Sequence, residues 1–207
     1  MKRVAIILIA LVSFLTHSYS QNLSEQQIKT KINQVAAQMK SMQCDFVQTK
    51  HLKMLNDQMV SKGKMFYQQS DKLRWEYTSP YRYTFVINGS KVQLKNNNRN
   101  DVIDVNKNKI FKEITRIMMN SVVGKSLLDD KDFISNITSN NTEWIAKLKP
   151  VRKDLKQMFK EIYLHFNQKA SMVSKVILIE KNGDKTIIEL KDIRTNVPIN
   201  ANVFVVK

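Results

Sequence analysis

The sequence predicts a mainly β fold with a smaller α component: an antiparallel sheet of roughly eleven strands that curls into a barrel or near-barrel. Three observations carry this expectation. Apolar residues recur with period two in many short segments between residues 43 and 193. Turn residues separate those segments, and Asn-Gly occurs twice, at Asn88-Gly89 and Asn182-Gly183, each between two apolar runs. Helical spacing is confined to a segment near residue 24 and another over residues 112–124.

The N-terminus carries Lys2 and Arg3, an apolar run over residues 4–15 and the small-x-small triplet Ser18-Tyr19-Ser20. This is the pattern of a signal peptide over residues 1–20, cleaved after Ser20, with one domain over residues 21–207. The run falls short of the roughly 20 apolar residues that a spanning helix needs. Cys44 is the only cysteine and lies away from the cleavage site, so neither a lipid anchor there nor an internal disulfide is expected. A buried, small apolar role fits Cys44 best.

Ser24 followed by Gln27 forms a capping box, and Leu23 with Ile28 forms a hydrophobic staple, so a helix is expected to start here. Ile28, Ile32, Val35, Ala36 and Met39 continue one apolar face to about residue 40. Strand alternation follows in Cys44 and Phe46, in Leu73, Trp75 and Tyr77, and in Tyr83, Phe85 and Ile87. Beyond residue 112, Ile114, Ile117, Met118 and Val122 follow helical spacing up to Gly124; Leu127, Leu128 and Phe133 suggest a further helical turn. Strands resume with Trp144, Ala146 and Leu148 before Pro150, and with Ile162, Leu164 and Phe166. Two more follow over residues 173–180 and 185–193, and residues 204–206 suggest a last short strand.

Without Lys2 and Arg3 the 34 basic residues become 32 against 18 acidic, a net charge of +14. That charge favours an anionic partner or surface. Nucleic acid is not expected, because the basic residues are spread along the chain and no nucleic-acid motif is present. Catalysis also finds little support. His51 and His165 lack neighbouring metal ligands at a useful spacing, and GxSxG, HExxH and Gly-rich phosphate loops are missing. Asp129, Asp130 and Asp132 cluster without the spacing of a calcium loop, so neither a metal nor a cofactor is expected.

Phe46-Val47-Gln48, Gly63-Lys64-Met65-Phe66, Leu73-Arg74-Trp75-Glu76-Tyr77 with Pro80, and Asn88-Gly89 follow one another in an order and spacing that resemble the LolA family of periplasmic lipoprotein carriers. The resemblance continues more loosely to the end of the chain. It implies an unclosed antiparallel barrel of eleven strands with an N-terminal helix and a helical lid, and an apolar interior for lipoprotein acyl chains. Triacylated or diacylated lipoproteins would be the cargo, received by a monomer from an inner-membrane ABC transporter and passed to an outer-membrane acceptor. On this reading Phe46, Met65 or Phe66, Trp75, Phe85, Leu94 and Phe166 line the cavity, and Ile114, Ile117, Met118 and Val122 belong to the lid. Where the family often carries an Arg-Pro pair associated with lid closure, this chain has Gln69-Ser70. A lipid- or lipoprotein-binding sensor or accessory protein without carrier activity is the alternative; an enzyme on this scaffold would need a polar constellation inside the cavity.

Overall fold

The computed structural model describes residues 23–69, 71–107, 112, 115, 116, 119, 120, 127 and 131–207. Helix α1 (Glu25–Gln38) begins as its sequence dictates: the Ser24 hydroxyl accepts from the Gln27 N–H at 3.3 Å, and the Ser24 N–H donates to the Gln27 side-chain oxygen at 2.8 Å. Leu23 and Ile28 join the same apolar cluster, and Ile28, Ile32 and Ala36 form the buried face of the helix.

Eleven antiparallel strands follow in one sheet. They are β1 (Ser41–Leu52), β2 (Asp57–Gln68), β3 (Lys72–Ser79), β4 (Tyr83–Asn88), β5 (Lys91–Asn96) and β6 (Asn100–Asp104), then β7 (Phe133–Ser139), β8 (Glu143–Pro150), β9 (Phe159–Asn167), β10 (Met172–Glu180) and β11 (Lys185–Thr195). The spatial order is β6-β5-β4-β3-β2-β1-β11-β10-β9-β8-β7. Pairing of β1 with β11 places the first and last strands at the centre, while β6 and β7, consecutive in the chain, are the two free edges. The barrel is therefore unclosed, and its opening lies between β6 and β7.

One face of the curled sheet is apolar along its length. Met42, Cys44 and Phe46 on β1 pair with Tyr67, Met65 and Gly63 on β2, and the same face continues through Leu73, Trp75 and Tyr77. On the other side of the seam it runs through Leu164 and Phe166 on β9 to Trp144 and Ala146 on β8. The opposite, convex face mixes polar with partly exposed apolar residues such as Val47, Phe66 and Ile177, and the C-terminal residues cross part of it. Phe204, at the end of a 3-10 turn (Ala201–Phe204), is buried, as is Val86 on that face. The Arg74, Asn88 and Gln93 side chains donate to the carbonyls of Val203, Phe204 and Lys207.

Several local expectations are corrected. Residues 204–206 form no strand, because side chains of the convex face take the backbone acceptors of this segment. Phe133 opens β7 instead of ending a helical turn. Asn88 belongs to β4, so the tight turn is Gly89-Ser90, with Gly89 at φ 58°. Helix α2 (Lys153–Met158) was not anticipated; six residues with one buried apolar side chain, Leu155, are too few to show a period. His165 is buried, at 8% exposure, and its Nδ1 lies 3.0 Å from a Glu143 carboxylate oxygen, a partner 22 positions away in sequence.

Candidate apolar binding site

Strand register decides which predicted lining residues meet. Met65 on β2 pairs with Trp75 on β3, Trp75 with Phe85 on β4, and Phe85 with Leu94 on β5. These four side chains form one row across the concave face, about 14 Å long at three inter-strand spacings of about 4.8 Å. Phe46 joins the row from β1, its ring centroid 4.4 Å from that of Trp75 and 5.2 Å from Tyr77. Met65 and Phe46 are the floor, at 0% and 1% exposure, while Trp75, Phe85 and Leu94 remain half-buried.

Gly63 explains why Phe46 sits there. It is the cross-strand partner of Phe46, and a Cβ at this position would lie 2.5 Å from the Phe46 ring and 2.0 Å from the Glu76 carbonyl oxygen. Only glycine lets the ring lie against β2. This spacing also settles the choice within Met65-Phe66. Since Gly63 faces the interior, so does Met65, and Phe66 turns to the convex face, where it pairs with Gln43 and Arg74 and lies outside both apolar clusters. Phe66 is thus withdrawn from the lining.

A second row runs from Gly63 through Tyr77 to Tyr83, and the Tyr77 hydroxyl donates to the Gln48 side-chain oxygen at 3.0 Å. Tyr77, Tyr83 and Gln48 were not among the predicted lining residues, although they share strand parity with Trp75, Phe85 and Phe46. Burial pushes the Tyr77 and Tyr83 phenols above their ordinary pKa, so both are neutral at physiological pH. Beyond the seam, Ile188 and Leu190 of β11 pack half-buried against the same cluster. The indole N–H of Trp75 is buried, and the Tyr77 hydroxyl is the polar group beside it. Among the described residues no group of three His, Cys, Asp or Glu is placed to hold a metal ion.

Phe166 does not reach this site. Its neighbours are Trp144 on β8 and Val173 on β10, and it belongs to a separate, fully buried cluster with Ile28, Ile32 and Leu155. The predicted lid residues Ile114, Ile117, Met118 and Val122 lie outside the described residues. Met119, which is described, has helical backbone and packs against the cluster that contains the row. Of the Gln69-Ser70 pair only Gln69 is described; its N–H donates to the Lys40 carbonyl. Asp132, 4% exposed, is paired instead with Arg116 at 2.5 Å and Arg152 at 3.4 Å, an ionic tie between the segment after β6 and the start of β7. Cys44 is buried, and burial first, then the neighbouring Asp45 charge, pushes its thiol up to about 12.

Residues 37–207 match the family model described as outer membrane lipoprotein carrier protein LolA. No curated protein sequence matches the chain. Among solved structures, an uncharacterized conserved protein from Thermus thermophilus is similar at TM-score 0.53 and 10% identity, covering 87% of this chain and 93% of its own. The MucA/MucB complex of Pseudomonas aeruginosa is similar at TM-score 0.53 and 10% identity, covering 86% of this chain and 60% of the other. The crystal structure of LolA superfamily protein NE2245 from Nitrosomonas europaea is similar at TM-score 0.47 and 10% identity, covering 89% and 98%. At such identities these likenesses concern the fold alone.

Proposed function

Since the chain belongs to the LolA family of outer membrane lipoprotein carrier proteins, we propose that it is an exported periplasmic carrier that holds lipoprotein acyl chains in the β1–β6 half of its concave face. The observation that supports this reading is the inward row Met65, Trp75, Phe85 and Leu94, apolar throughout yet only partly buried in its upper wall. A protein interior ordinarily closes over such side chains. Apolar area left open on the inside of a curled sheet is suited to a ligand that is itself apolar.

The length and chemistry of the row agree with this cargo. About 14 Å of apolar wall matches an acyl chain of a dozen or so methylenes, and full burial of roughly fifteen contributes on the order of 12 kcal/mol. Three fully buried chains would exceed the practical affinity ceiling near 20 kcal/mol, and such cargo would not leave. A wall that stays half open gives weaker, reversible holding. An ester carbonyl of the cargo can also accept from the Trp75 indole N–H or the nearby Tyr77 hydroxyl. The neutral Tyr77 and Tyr83 present no charge to oppose hydrocarbon.

The donor on this reading is an inner-membrane ABC transporter and the recipient an outer-membrane acceptor. The pairing of Asp132 with Arg116 and Arg152, which ties the segment after β6 to the starts of β7 and α2, takes the place of the absent Arg-Pro latch. Incubation of residues 21–207 with radiolabelled triacylated lipoprotein, released from inner-membrane vesicles, tests the proposal. A soluble one-to-one complex is expected; no complex, in conditions where another LolA-family carrier forms one, overturns it. A complex that forms but never yields its cargo to outer-membrane vesicles favours the sensor or accessory reading.

A further inference from the structure

In an antiparallel meander, alternate connections lie at the same end of the sheet. Residues 53–56 after β1, 80–82 after β3, 151–158 after β8 and 181–184 after β10 therefore share one rim. The row Gly63, Tyr77 and Tyr83 is one step nearer this rim than the row containing Trp75, so the half-open part of the interior faces it.

Exposed large apolar side chains are concentrated at this end, with Val102 and Val205 exposed elsewhere. Met54 is 92% exposed, Leu55 71%, Tyr81 73% and Met158 47%. The connections at the opposite end, residues 39–40, 69–71, 89–90, 140–142 and 168–171, present no exposed large apolar residue among those described. Single apolar residues on a surface are ordinary; their concentration on one rim is not. The same rim is basic. Lys53, Arg82, Lys153 and Lys181 are exposed and make no ion pair among the described residues.

We infer that this rim is a docking face for an anionic phospholipid bilayer, into which Met54 and Leu55 insert while Tyr81 and Met158 rest at the headgroup level. Apolar insertion alone or basic attraction alone gives marginal interfacial binding, whereas the two together hold a protein at the surface. Tyrosine is suited to that depth, with an apolar ring and a polar tip. Charge complementarity selects the anionic bilayer over a neutral one. Docked this way, the protein turns the Tyr77 and Tyr83 end of its concave face to the membrane. The inference extends the carrier reading but does not require it, since a bilayer without lipoprotein is enough to show it.

The test is flotation of residues 21–207 with vesicles of phosphatidylcholine containing 30 mol% phosphatidylglycerol, using wild type and the double substitution Met54→Asp/Leu55→Asp. Wild type floats at low salt, and its bound fraction falls at least tenfold with pure phosphatidylcholine or in 0.5 M NaCl. The variant loses at least tenfold in vesicle binding, while its thermal midpoint and its capture of soluble lipoprotein are unchanged, because both residues are outside the core. Wild type that fails to float, as it would if the rim served a protein partner, overturns the inference. So does a folded variant that floats as well as wild type, or equal binding to neutral vesicles.

Discussion

On β8 and β9 every inward apolar residue, from Trp144, Ala146 and Leu148 to Ile162, Leu164 and Phe166, is at most 6% exposed. On β3, β4 and β5 the corresponding Trp75, Tyr77, Phe85 and Leu94 remain half-buried. The strands belong to one sheet and carry similar side chains, so the difference lies in what covers them. Helix α1 brings Ile28 and Ile32 to the first region and helix α2 brings Leu155, closing it into a solid core. The second region receives Ala36 and Met39 beside Met42, Tyr67 and Leu73, all fully buried, whereas among the described residues Met119 alone of the segment between β6 and β7 packs against the cluster that contains the Trp75 row. One half of the barrel is a solid core, and the other leaves part of its apolar wall exposed.

Truncation should affect the halves differently. Phe166→Ala removes a fully buried ring from the solid half and is expected to lower stability by about 3–5 kcal/mol in urea unfolding, with lipid affinity per folded molecule unchanged. An equal loss of lipid affinity in the folded fraction would break the division. Gly63→Ala comes next: its Cβ meets backbone and the Phe46 ring, so a stability loss of about 1–3 kcal/mol is expected, together with weaker acyl binding. Phe85→Ala removes a side chain already partly in water. It should cost less stability than Phe166→Ala but at least tenfold in acyl-chain affinity, measured by displacement of a fluorescent fatty acid.

Two smaller effects sharpen the contrast. Cys44, in the packed end of the open half with its thiol raised to about 12, should react with a thiol reagent at pH 7 orders of magnitude more slowly than in urea. Fast labelling of the native protein would mean that this end is also open. Acid should act first on the other half. The carboxylates held below their ordinary pKa among the described residues are Glu143, Asp154, Glu161 and Asp184, all between β8 and the start of β11. Glu143 is lowered first by its hydrogen bond with His165, and Glu161 by Tyr163, then Lys147. A lowered folded value means that the stabilisation is present above the ordinary pKa, 4.5 for the glutamates and 3.8 for the aspartates, and is lost as pH falls through the folded value. Hydrogen-exchange protection corrected for intrinsic rate should therefore decline earlier in β8 and β9 than in β3 and β4, by a modest factor, since these groups are near the surface.

Strand parity was largely legible in the sequence. The sets Leu73, Trp75, Tyr77; Tyr83, Phe85, Ile87; Trp144, Ala146, Leu148; and Ile162, Leu164, Phe166 each share the concave face, because alternation and the tight turns between strands leave no other register. The eleven strands and the capped helix follow from the same local chemistry. Met65 against Phe66 was not legible from alternation, since β2 reads Met65, Phe66, Tyr67 without a polar break. The decision rests on Gly63 meeting Phe46, a contact between strands. Nor does parity say what lies above a side chain. Phe166 and Phe85 have the same pattern in sequence, and among the described residues Ile28, Ile32 and Leu155 of α1 and α2 cluster with the first and not with the second. His165 with Glu143 and Asp132 with Arg116 and Arg152 are likewise products of tertiary pairing.

The two tryptophans of the chain stand one in each half, Trp75 in the open wall and Trp144 in the solid core. Fluorescence of the single-tryptophan variants Trp144→Phe and Trp75→Phe, titrated with a brominated acyl lipid, measures acyl contact with each half separately. Saturable quenching of Trp75 with Trp144 unaffected is the predicted result. Quenching of Trp144 alone, or of both to the same extent, would contradict the assignment of the acyl site to the β1–β6 half.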